Sequence, residues 1–104
     1  MAFGINRTEL NEWKEQVRNG QIAFLTHYWL DERFPGCNTV TKVGCSNITL
    51  LIEWGKQYGL QEEWIDLKEG YPHFDLFGKY EYDIMKKEGL LEQLNRFKNK
   101  TSDL

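Results

Sequence analysis

The chain has 104 residues, enough for one modest hydrophobic core and too few for two independent ones. Hydrophobic residues make up 40% and charged residues 28%, the balance of an ordinary globular protein, which argues against disorder, a collagen-like repeat or a membrane protein. The formal net charge of −3 argues against nucleic acid as a partner and against a polybasic membrane surface, since both call for a cationic face.

Four Trp, five Tyr and six Phe are many for this length, and each can bury roughly 150–250 Å², so a sizeable core is within reach. The opening residues Met1 to Arg7 lack the basic flank and apolar stretch of a signal peptide, and no apolar run approaches the roughly 18 residues that span a bilayer. Cys37 and Cys45 have no secretory context and read as reduced thiols. A cytoplasmic location is the expectation.

In chain order, Asn6 can cap a first helix, with Glu9 three residues on and a stop at Asn19-Gly20. Leu10, Trp13 and Val17 then form one apolar stripe. Residues 21–30, rich in Ile, Phe, Tyr and Trp, read as a buried strand that ends in the polar turn Asp31 to Gly36. A second strand follows at 38–43. Ser46 stands where a helix cap is wanted, and Gly59-Leu60 closes that helix in Schellman fashion. Gly55 inside it costs roughly 1 kcal/mol relative to Ala, which points to a close packing neighbour. Residues 63–67 and 72–77 read as short strands, and a helix from about Lys79 stops at Glu88-Gly89. Leu90 or Leu91, Leu94 and Phe97 mark a last amphipathic helix, and residues 99–104 form a polar, frayed tail. The expected fold is α+β: a single domain over residues 1–98, with three to four short strands (21–30, 38–43, 63–67, 72–77) covered by helices.

His73 and Asp75 are two residues apart, so on an extended segment both project from one face, with Phe74 and Leu76 turned to the core. Such a pair can hold a divalent metal, or let the carboxylate orient the imidazole for acid–base work. The plainer alternative is a core histidine satisfied by its neighbour. Asp31 and Arg33 follow the end of the most hydrophobic strand, where ligands of α/β sheets bind. Arg33 as a fork and Lys42 as a point charge suit a phosphate. Two cysteines eight residues apart, with His27 and His73 scattered, do not match zinc-ligand spacing. Trp29, Trp54 and Trp64 read as core rather than as a stacking platform.

The run Tyr28 to Gly36, with Asp31, Arg33 and Pro35, resembles the Tyr-x-x-Asp-x-Arg-x-Pro-Gly opening of a bacterial and phage family known as a domain of unknown function. His73-Phe74-Asp75-Leu76 is similar to that family's His-Tyr-Asp-Leu. Over its whole length, first helix included, the chain also resembles small proteins of Gram-positive bacteria of the YneQ type. Leu30 stands where the wider family has a second Asp, and Lys42 where it commonly has a His. The resemblance assigns no activity, but it implies that Asp31, Arg33, His73 and Asp75 converge on one site. The expectation is a site of Asp31, Arg33, Lys42, His73 and Asp75 that binds a small anionic or phosphate-bearing ligand. Mg²⁺ or Mn²⁺ on His73, Asp75 and Asp31 would be its metal. The alternative is an interaction module that self-associates, as a homodimer, through exposed aromatics.

Overall fold

Asn6 opens the first helix because its side-chain oxygen accepts the Glu9 N–H at 2.8 Å, which satisfies a donor the helix itself leaves open. A computed structural model describes residues 6–29, 32–33, 38–67 and 70–102, with side chains through residue 96. In it α1 spans Arg7–Arg18 and ends at Gly20, whose φ of 80° is a conformation open to glycine. Strands β1 (Ala23–Tyr28), β2 (Thr39–Gly44) and β3 (His73–Leu76) form a sheet in the order β1-β2-β3. Trp29 N–H donates to Asn38 O, joining the end of β1 to the start of β2, and Cys45 N–H donates to Pro72 O, joining the end of β2 to the start of β3. Both pairings are therefore antiparallel. The first sets Thr26 opposite Thr41, and the second sets Gly44 opposite His73 and Lys42 opposite Asp75.

The remaining helices are α2 (Ile48–Lys56), α3 (Gly78–Lys87) and α4 (Leu91–Ser102). Helix α4 thus continues through residues 99–102, where a polar tail was expected. The α+β expectation holds, with three strands. Two local readings are corrected. Asn47, not Ser46, caps α2: its side chain accepts the Leu50 N–H at 3.1 Å, while the Ser46 hydroxyl donates to Arg18 O. Residues 63–67 are not a strand. Glu62–Trp64 is a 3-10 turn whose bonds engage the N–H groups of Trp64 and Ile65, so only Asp66 is left to pair with β3, in one antiparallel bridge to His73.

By its internal packing the chain forms two compact units. One comprises Asn6–Leu25 with Lys42–Asp75. Here Trp13 and Val17 of α1 lie over Gly44, where a Cβ would come within 2.7 Å of the Trp13 ring and 2.9 Å of Val17. The Trp13 indole N–H donates to Ala23 O at 3.1 Å. On the other face of these strands Trp54 of α2 meets Phe24, Tyr58 and Phe74, with ring centroids 5.2–6.1 Å apart, a spacing at which aromatic rings attract. Gly55 has the close neighbour its sequence context implied: a Cβ there would sit 2.7 Å from the Phe74 ring. Gly55→Ala should therefore destabilise by about 1–3 kcal/mol, because overpacking outweighs the gain in helix propensity. Urea denaturation would check this, and a stabilised variant would show that Phe74 yields freely.

The other unit comprises Thr26–Thr41 with Leu76–Leu104. There α3 packs on α4, and Trp29 stacks at a tilt on Phe77, 5.2 Å between centroids. Glu81 of α3 is 5% exposed and accepts hydroxyl bonds from Thr39 at 2.7 Å and Thr41 at 2.9 Å. Thr41 is in turn bonded to Thr26 at 2.7 Å, and Thr26 accepts from the Gln93 amide at 3.0 Å. Since Thr41 gives its proton to Glu81, Thr26 must be the donor in the threonine pair. No helix among the described residues is long and apolar enough to cross a membrane.

Candidate metal centre

The bridge between Asp66 and His73 is a doubly bonded pair: Asp66 N–H donates to His73 O at 2.7 Å and His73 N–H to Asp66 O at 3.1 Å. Residues directly opposite in such a pair share a face of the sheet, and so does Asp75, two residues along β3. Backbone pairing alone thus brings two carboxylates to one imidazole.

The histidine is fixed from behind. His73 is 6% exposed, and its Nδ1 lies 2.7 Å from Tyr71 O. A carbonyl only accepts, so Nδ1 carries the proton and donates. In the neutral ring this leaves the Nε2 lone pair as the free ligand atom, turned toward Asp75 Oδ1 at 3.5 Å and Asp66 Oδ2 at 4.0 Å. Trp13 stands edge-on to the ring, 6.1 Å between centroids. The three ligand atoms lie within 4.8 Å of one another, so small side-chain rotations bring all three round one ion. A backbone carbonyl holding the far nitrogen of an imidazole is the usual outer support of a metal-binding histidine. Without an ion, the same geometry is that of a histidine flanked by two aspartates.

Of the residues expected at the site, His73 and Asp75 come together. Lys42 is half-buried on β2, in register opposite Asp75. Arg33 is exposed in a turn past β1, and Asp31 lies outside the described residues, as does Cys37. Cys45 is buried and in no disulfide among the described residues. Asp66 was not anticipated. Its place depends on the single antiparallel bridge to His73, which no periodicity of the sequence marks. Trp54 is core as expected, whereas Trp64 is 46% exposed and is not.

A curated protein of Bacillus subtilis (strain 168), "Uncharacterized protein YneQ", is 56% identical over 97 residues, covering 93% of this chain and 98% of its own length. The chain belongs to the YneQ family. The likeness to YneQ extends across α1, the sheet and the His73 region alike, because so little of either chain is left uncovered. No protein-family model and no solved structure matches the chain. The resemblance to the wider bacterial and phage domain therefore rests on its motif residues alone.

Proposed function

We propose that the protein is a cytoplasmic binder of a divalent metal ion at Asp66, His73 and Asp75, and that the ion's open positions take a small anionic ligand. The observation that carries this reading is the Nδ1–H bond from His73 to Tyr71 O, which leaves the Nε2 lone pair facing two carboxylates. One imidazole nitrogen with carboxylate oxygens suits Mn²⁺ better than Mg²⁺, which favours all-oxygen shells, and offers no thiolate to select zinc. Three protein ligands leave an octahedral ion with open positions for water or a ligand. Asp66 and Asp75 are partly exposed, so those positions face solvent.

Manganese EPR titration tests the reading directly. Wild-type protein should bind one Mn²⁺, and Asp75→Asn should weaken binding at least tenfold while leaving the circular dichroism unchanged, since Asp75 is exposed. Acidification should release the ion, because protons compete for the same imidazole and carboxylate atoms. At 100 times the dissociation constant the ion should stabilise the fold by about 2.7 kcal/mol. Equal Mn²⁺ binding by wild type and an Asp66→Asn/Asp75→Asn double variant would overturn the assignment.

A second reading is self-association through exposed apolar side chains. Trp64 and Leu67, 46% and 62% exposed on either side of Asp66, favour it. Light scattering that shows a monomer at all concentrations would remove it.

A further inference from the structure

The middle strand carries a lysine whose neighbours leave its charge without a partner. On the face of the sheet that holds His73 and Asp75, Lys42 stands between Leu25 of β1 and Asp75 of β3. Val40 and Gly44 precede and follow it on the same face of β2. Leu25 and Val40 are each 5% exposed and Gly44 has no side chain, so Asp75 is the only charged group among these neighbours. Asp75, however, is turned to the imidazole, its Oδ1 3.5 Å from His73 Nε2. Among the described residues Lys42 makes no ion pair with it or with any other carboxylate. A half-buried ammonium so placed calls for an anion.

Register brings that ammonium to the metal ligands. Cys45 and Pro72 face each other as a hydrogen-bonded pair, and pairs alternate along the ladder, so Lys42 and Asp75 form a pair of the closer, non-hydrogen-bonded kind. Cβ atoms in such a pair are about 4.5–5.5 Å apart, a gap that the four-carbon stem of a lysine exceeds. The Lys42 ammonium therefore reaches past the Asp75 side chain, which is 42% exposed, to a group bound on an ion that Asp75 holds.

Charge then sets the ligand. A divalent ion with Asp66 and Asp75 is neutral, and Lys42 leaves one surplus positive charge. A phosphate or sulfate dianion would turn the half-buried site negative, whereas a monoanion balances it. A carboxylate has the right shape for the two points of attachment: one oxygen sits on the ion while the other accepts from the ammonium. A hydroxyl on the adjacent carbon then fills a second open position of the ion.

Resting on the metal reading above, we infer that Lys42 selects the ligand of this site, and that the ligand is a small 2-hydroxy monocarboxylate bridging the ion and the Lys42 ammonium.

Calorimetry on the Mn²⁺-loaded protein with glycolate, ethylene glycol and sulfate tests this. Glycolate should bind at least tenfold more tightly than either of the others, because ethylene glycol brings no charge to Lys42 and sulfate brings one too many. Lys42→Met keeps the length of the side chain and removes its charge. Glycolate should bind this variant at least tenfold more weakly, while Mn²⁺ measured by EPR binds it at least as tightly as wild type, since a repelling charge is gone. Unchanged glycolate affinity in Lys42→Met would overturn the proposal, as would wild-type protein that takes sulfate as tightly as glycolate. Weaker Mn²⁺ binding by the variant would also overturn it, since Lys42 would then support the metal ligands and not the anion. Failure of wild-type protein to bind Mn²⁺ would overturn both readings together. Intact Mn²⁺ binding with no glycolate bound would overturn this one alone.

Discussion

Replacing Glu81 by alanine is expected to lower the unfolding free energy by about 3–5 kcal/mol, the usual consequence of removing one member of a buried polar network that holds a carboxylate. Glu81 accepts from Thr39 and Thr41 within a buried face, and both threonines are at most 4% exposed. Without the carboxylate, two buried hydroxyls lose their acceptor. Thr41 cannot recover its loss from Thr26, because the one bond between the two hydroxyls has room for only one of their protons. Glu81→Gln should cost less, about 1–2 kcal/mol: one oxygen still accepts, but the amide nitrogen presents a donor where a donor already stands. Chemical denaturation of both variants checks the order. A Glu81→Ala loss below about 0.5 kcal/mol, the level of an ordinary surface change, would show that the carboxylate is not part of the fold's support.

Truncating Phe74 to alanine should cost a similar amount, about 3–5 kcal/mol, for a different reason. Phe74 is 1% exposed, lies against Trp54, and fills the space that Gly55 leaves open on α2. A glycine cannot move in to close the cavity, so the relaxation that lowers the cost at other sites is limited. Phe74 sits on β3 between His73 and Asp75 but points to the other face of the strand. If the site takes Mn²⁺ as proposed, the folded fraction of Phe74→Ala should accordingly bind it as tightly as wild type. A variant that keeps its stability but loses the ion would show that the two faces of β3 are not independent.

Much of this fold is legible in the sequence because its devices are local. The Asn6–Glu9 cap, the glycine at the end of α1 and the Gly59-Leu60 closure of α2 each depend on a few adjacent residues. The closure forms as read, with Leu60 N–H donating to Gly55 O at 2.9 Å and Gly59 N–H to Lys56 O at 3.1 Å. The close neighbour of Gly55 was also readable, since a helix interior accepts glycine's cost only where something else requires it. Ser46 misled because two adjacent residues could both cap α2, and the bond from Ser46 to Arg18 O decides between them through a residue 28 positions away. Asp66 was missed for the same reason: its role depends on pairing across a turn and not on periodicity. Glu81 carried no signal at all. A glutamate on an amphipathic helix reads as solvated, and only the threonines of β2 show otherwise.

The placement of Trp13 has a kinetic consequence. Its ring lies over Gly44, across from His73, and stands edge-on to the imidazole, so the histidine is walled off on the α1 side. The side chains of Asp66 and Asp75 remain 32% and 42% exposed while that of His73 is 8% exposed. A hydrated cation coming from solvent meets the carboxylates first and the nitrogen last. If the site takes a divalent ion as proposed, its capture would proceed in two stages, with long-range attraction to the carboxylates setting the first and access to the sheltered Nε2 setting the second. Added salt screens only the first. The association rate should therefore fall with ionic strength, while the rate of ion release, governed by the bond to a sheltered nitrogen, stays nearly constant.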